Sequence, residues 1–179
     1  QKDTGYSIDN SLRFNDDDSA YLSRTPSSAG NRKTWSWSGW VKRGNLGTEQ
    51  HLEYASESAT YADPAGSIVF AADTLEVWHY TSAYDFRLVT TQLFRDTSAW
   101  YHIVVAVDTT QATASNRIKL YVNGLQITAF ATATYPALNF NSAFNSIGPH
   151  LIASRGSSGA VINHFDGHLA EVNFVDGQA

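Results

Sequence analysis

The chain has no cysteine and no methionine among its 179 residues. The first absence rules out a disulfide framework and any thiolate site. It leaves an extracellular setting open, because a domain of this size can bury enough apolar surface without staples. The second absence means that Gln1 is not an untreated translation start, so residues 1–179 read as one domain that is a processed or excised part of a longer protein. The ending VDGQA, made of turn-like residues, fits that expectation. Charge is also sparse, at 16% of residues, and the net charge of −5 is not concentrated in a tail. The Lys/Arg runs do not exceed a pair such as Arg32–Lys33, which argues against a nucleic-acid partner. No apolar stretch approaches the length of a membrane span and no signal-peptide pattern opens the chain, so membrane insertion is not expected.

Sustained helical periodicity is missing as well. Two-residue alternation takes its place. In WYHIVVAVD, Ile103, Val105 and Val107 share one face, and in RIKLYVNG the same holds for Ile118, Leu120 and Val122. Asn123-Gly124 stands between two apolar-rich runs and predicts a type I′ hairpin. Further strands are expected near 6–14, 19–24, 34–42, 50–56, 67–71, 75–80, 86–91, 125–130, 147–153 and 168–175. Many short strands without helical crossovers predict an all-β fold of two stacked antiparallel sheets.

What the chain does have is aromatic residues, 13% of the total, and three of its five tryptophans fall within TWSWSGW, residues 34–40. Strand parity places Trp35, Trp37, Gly39 and Val41 on one continuously apolar side, which reads as core. Trp40 lies opposite, among serines, free either to cover the sheet or to line a shallow groove. In LEVWHYTSAYDFR, residues 75–87, Leu75, Val77 and His79 share one face while Glu76, Trp78 and Tyr80 share the other; Tyr84, Asp85 and Arg87 follow closely enough to form a rim. An acid, an indole and a phenol on one face could stack on the C–H surface of a sugar and read its hydroxyls. The same rings could equally pack beneath a covering loop.

Catalytic patterns are not found. Glu49, Glu53 and Glu57 recur every fourth residue, which in a regular strand would keep them on one face, but they do not make the Glu-x-Asp-x-x-Glu arrangement that flanks a glycosidic bond. No nucleophile elbow, zincin motif or phosphate loop occurs. The chain is therefore expected not to be an enzyme. NDDDS, residues 15–19, offers adjacent carboxylates, but neighbours in an extended chain diverge, and the segment reads as a solvated loop. HFDGH would place His164, Asp166 and His168 on one side if extended, and reads as a polar surface edge rather than a metal site.

The segments SLRFNDDDSAYLSRT, TWSWSGWVKRG, AWYHIVVAVD, IKLYVNG, SIGP and FDGHLAEVNFVDG follow one another in an order that resembles laminin G-like domains of the concanavalin A-like lectin/glucanase superfamily. The resemblance runs from about Ser11 to Val175 and implies a jelly-roll sandwich. The fuller wording SAYLSRTPSSAGNRKTWSWSGWVKRG and FDGHLAEVNFVDGQA is similar to such domains in virion proteins of tailed bacteriophages. That likeness implies a place on the virion surface, in a tail fibre, spike or decoration, with other virion proteins as partners. It also implies calcium as the candidate cofactor, although no ligand set carries over residue by residue. The combined expectation is a non-enzymatic module that binds host-surface polysaccharide or glycan through Trp78, Tyr80, Glu76, Arg87, Trp40 and Tyr84. The alternative is a structural decoration or cement module of a capsid or tail that binds protein.

Overall fold

The computed structural model describes residues 9–179. Its strands in chain order are β1 (Leu12–Phe14), β2 (Leu22–Arg24), β3 (Thr34–Arg43), β4 (Gln50–Ser56), β5 (Ala65–Ala71), β6 (Thr74–Tyr80), β7 (Tyr84–Leu93) and β8 (Tyr101–Asp108). They continue with β9 (Ile118–Val122), β10 (Leu125–Ile127), β11 (Phe130–Thr134), β12 (His150–Ile152), β13 (Arg155–Ser157), β14 (Ala160–Ile162) and β15 (Gly167–Asp176). One sheet has the order β1-β15-β3-β8-β9-β10 and the other β11-β7-β6-β5-β4-β12-β2, with β13-β14 as a separate hairpin. Each strand pairing is antiparallel, giving the expected jelly-roll sandwich.

Alternation decides which side chains fill the space between the sheets. Trp35, Trp37 and Val41 of β3 and Ile103, Val105 and Val107 of β8 are wholly buried, as their parity required. They meet Leu52, Ile68, Phe70, Leu75, Val77 and Phe86 from the opposite sheet. Gly39 is needed at its position, because a Cβ there would sit 2.9 Å from the Trp37 ring. The Asn123-Gly124 turn has φ of 51° and 79°, the left-handed pair that a type I′ hairpin demands.

Three expectations need correction. The 125–130 run is not one strand: β10 stays in the first sheet while β11 crosses to the edge of the second. The 6–14 strand is shorter, with β1 beginning at Leu12; residues 6–8 lie outside the described residues. The third concerns β4, where the register shifts between His51 and Glu53, so that an extra residue reverses the parity beyond it. Glu53 is paired opposite the core residue Ile68 and turns inward, while Glu49 and Glu57 engage surface partners. The four-residue spacing therefore does not put the three glutamates on one face.

Candidate functional site

The centre of the seven-stranded sheet carries the segment that sequence parity singled out. In β6, Leu75, Val77 and His79 point into the sandwich and are buried; Glu76, Trp78 and Tyr80 alternate with them on the outer face. The β6–β7 register sets Trp78 opposite Arg87 and Tyr80 opposite Tyr84 across a tight hairpin. Cross-strand neighbours on one face are close enough to interact, and these do. Arg87 donates from Nε at 3.0 Å and from Nη2 at 2.8 Å to the same oxygen of Glu76. Its guanidinium carbon lies 4.9 Å from the centroid of the Tyr84 ring. Tyr84, 47% exposed, stands edge-on to Tyr80 at 5.3 Å and to Trp78 at 6.3 Å.

Beneath the hairpin, Asp85 accepts from Thr81 Oγ1 at 2.7 Å and pairs with His79 Nδ1 at 2.8 Å, which fixes the turn that presents Tyr84. Trp78 is half-buried. It packs against Tyr54, Ala65 and Leu151, a small satellite cluster also covered by Tyr61 of the β4–β5 loop and Val161 of the β13–β14 hairpin. One side of the indole is thus packed under a covering segment, and the rest faces the Tyr84–Arg87 rim.

Of the six residues the sequence nominated, five come together: Glu76, Trp78, Tyr80, Tyr84 and Arg87. Trp40 does not join them. It lies on the outer face of the other sheet, with its ring 4.9 Å from that of His102. Parity assigns a side chain to one face of its strand and carries no information about which sheet that strand enters, so the sequence could not separate Trp40 from the rest.

The sequence also missed a buried polar network beside Trp78. His51 on β4 is fully buried, 6.4 Å from the Trp78 ring and perpendicular to it. Its Nδ1 lies 2.6 Å from Ser67 Oγ and its Nε2 lies 2.8 Å from Glu49 Oε1. Burial holds the imidazole below its ordinary pKa, and the Glu49 carboxylate opposes that shift only in part. Chiefly through the hydrogen bond from His51, Glu49 is held down at about 2, and it also accepts from Asn163 at 3.0 Å and meets Arg155 at 3.4 Å. These two contacts tie the β13–β14 region to the sheet.

Ser67, His51 and Glu49 invite comparison with a hydrolase triad, and the geometry argues against one. The ring is reversed, with Nδ1 rather than Nε2 toward the serine. Ser67 is wholly buried and its single hydrogen is shared with the Glu53 carbonyl at 2.7 Å. The network braces the floor of the face.

The two motifs weighed against a metal role, NDDDS and HFDGH, engage other partners. Asp16 accepts from Asn45 at 2.8 Å and Asp18 from Asn15 at 2.9 Å, so the acidic run folds back on its own neighbours. His164, Asp166 and His168 diverge: the first rests near Tyr21, the second pairs with Arg13 at 2.7 Å, and the third meets Trp100. Among the described residues, no group of three His, Asp or Glu side chains is placed to hold a metal ion.

A laminin G family model, described as the concanavalin A-like lectin/glucanases superfamily, matches residues 15–178. The chain belongs to that superfamily. Among curated proteins, no sequence match reaches significance. Solved structures of similar fold include the CBM40 of the Ruminococcus gnavus IT-sialidase bound to α2,3 sialyllactose. It is 11% identical, with a TM-score of 0.58, covering 86% of this chain and 91% of that one. Domain 4 of AbnA, a GH43 extracellular arabinanase from Geobacillus stearothermophilus, in complex with arabinotriose, is 18% identical. Its TM-score is 0.57, over 84% of this chain and 62% of that one. The heptameric SAP-like pentraxin from Limulus polyphemus is 12% identical at a TM-score of 0.58, over 86% and 68% respectively. At these identities, what these structures share with the chain is the fold.

Proposed function

We propose that this concanavalin A-like domain is a non-catalytic carbohydrate-binding module, with its site on the outer face of the seven-stranded sheet at the β6–β7 hairpin. The observation that carries the reading is the convergence of Trp78, Tyr80 and Tyr84 around the Arg87–Glu76 pair. Apolar ring faces suit the C–H surface of a sugar, and an oriented guanidinium and carboxylate suit its hydroxyls or an acidic substituent. Two of the similar structures hold sialyllactose and arabinotriose, which supports the same class of ligand.

The setting we propose is the surface of a bacteriophage virion, with host-surface polysaccharide as the target; its support is the resemblance of residues 19–44 and 165–179 to tail and decoration domains. A glycan array probed with the folded domain tests the binding. Selective binding that Trp78→Ala removes supports the module, and a blank array from a folded sample contradicts it.

One observation favours the second reading, a structural module that binds protein. Leu12 and Leu22, 55% and 47% exposed, line a single groove with Ile152, Leu169 and Val172 at the open edge of the sandwich. Apolar side chains gathered at an edge are suited to burial against a neighbouring virion protein.

A further inference from the structure

A cavity lies away from the Trp78 face. It opens between the two sheets, where β2 and β12 approach β15 and β3, and has a volume of about 560 Å³. Cavities of that size suit small organic ligands. Leu22, Ile152, Val172 and Phe174 supply its apolar lining.

Most of its polar lining is already committed. Asp176 accepts from the Asn31 N–H and from Asn145 Nδ2, each at 2.7 Å. His150 donates from Nδ1 to the Gly148 carbonyl at 2.9 Å and accepts at Nε2 from the Asn145 N–H at 3.0 Å. Two groups remain. Trp37 is wholly buried, and its Nε1–H makes no hydrogen bond of ordinary geometry among the described residues. Glu53, turned inward by the β4 bulge and 5% exposed, lies beside it, close enough for the indole N–H to favour its charged form. Burial outweighs that effect and pushes the carboxyl up to about 8, so at neutral pH it is a carboxylic acid, able both to donate and to accept.

The wall of the cleft therefore offers an N–H donor next to a neutral acid. An alkylammonium could not accept from Trp37 and would find no counter-charge in Glu53, and the Asp176 carboxylate of the same cleft is already held by Asn31 and Asn145. A hydroxyl can accept from the first and donate to the second, and a hydroxyl on the adjacent carbon can take the acid's own proton. We propose that the cleft between the sheets is a second binding site, for a neutral ligand bearing vicinal hydroxyls, held by Trp37 Nε1 and the Glu53 carboxyl. The shared chemistry has two sources, the end residue of a glycan and a free polyol. The proposal is independent of the outer-face site, since neither Trp37 nor Glu53 belongs to it.

Calorimetric titration of the full chain with neutral monosaccharides, oligosaccharides and sorbitol tests it. Trp78→Ala should leave cleft binding within about twofold of wild type. Ala29→Trp, which places an indole in the cleft from an exposed loop position, should weaken it at least tenfold, and Glu53→Leu should do the same without altering that loop. Melting curves on each variant separate loss of the site from loss of the fold. Binding of monosaccharides and sorbitol identifies a free-polyol site, and binding of oligosaccharides alone identifies a glycan-end site. The proposal is overturned if Trp78→Ala abolishes all binding, which leaves the outer-face reading standing, or if Ala29→Trp and Glu53→Leu fold and bind as wild type does. It is also overturned if the wild-type chain binds none of these compounds.

Discussion

Arg87 aims two N–H groups at one oxygen of Glu76, at 3.0 and 2.8 Å, while its guanidinium lies 4.9 Å from the Tyr84 ring centre. One planar cation thereby orients an acid and a phenol on neighbouring strands. The Glu76 side chain is 9% exposed and that of Arg87 is 34% exposed, so the pair is screened less than an open surface ion pair.

Arg87→Lys keeps the charge but loses the fork and the flat contact with Tyr84. It should cost about 0.5–1 kcal/mol of stability, a melting shift of ~1–4 °C. Glycan affinity should fall further than stability does, because the rim is no longer held in one geometry. Calorimetry on Arg87→Lys and wild type, as thermal scans and as titrations with one identified glycan, measures the two effects separately.

Glu53 makes a prediction about pH. Its folded-state pKa, about 8, lies above the ordinary 4.5 because of burial. The folded state thus retains a proton that the unfolded state releases, so this group's contribution falls as pH rises from about 4.5 to about 8, then levels off. Glu53→Gln removes the titration. The variant should match wild type near pH 4 and exceed it by about 1–3 kcal/mol at pH 8. Denaturant unfolding at the two pH values measures this difference, and a constant difference between the two proteins would contradict it.

Ser67→Ala should cost about 1–3 kcal/mol, because it leaves the His51 ring nitrogen and the Glu53 carbonyl buried with one fewer partner. Its hydrolytic activity toward simple esters should equal that of wild type, at the uncatalysed background. A loss of activity specific to this variant would show that Ser67 acts as a nucleophile after all.

The tryptophans of TWSWSGW should divide by parity. Trp35 is fully buried, donates to Ser142 Oγ at 3.1 Å and lies 4.6 Å from the Phe144 ring, so Trp35→Ala should cost ~3–5 kcal/mol. Trp40 only rests on His102, and Trp40→Ala should cost less than about 1 kcal/mol and leave glycan binding unchanged. Thermal melts and the array give both readings.

The legibility of this chain follows the same physical line. Wherever a strand is regular, two-residue alternation separates inside from outside, and β3, β6 and β8 could be read directly. A single extra residue in β4 defeated that logic for Glu53, since a bulge leaves no mark in composition or spacing. The Glu49–His51–Ser67 network was invisible for another reason: β4 and β5 bring its members together only once paired. Trp40 shows the remaining gap, because alternation orders the faces of one strand and is silent on how strands are shared between sheets. The β6–β7 cluster was accessible because Glu76 through Arg87 lie within one hairpin, where strand parity and a short turn almost determine their neighbours.

The most direct test is the binding of Trp78→Ala and wild type to an array of bacterial and algal polysaccharides with calcium present, each sample checked by its melting curve. Wild type should bind selectively and the variant should lose at least tenfold, equivalent to about 1.4 kcal/mol, while its fold persists. A folded wild-type domain that binds no polysaccharide, or a variant that binds as well as wild type, would contradict the outer-face site and turn attention to the apolar edge and a protein partner.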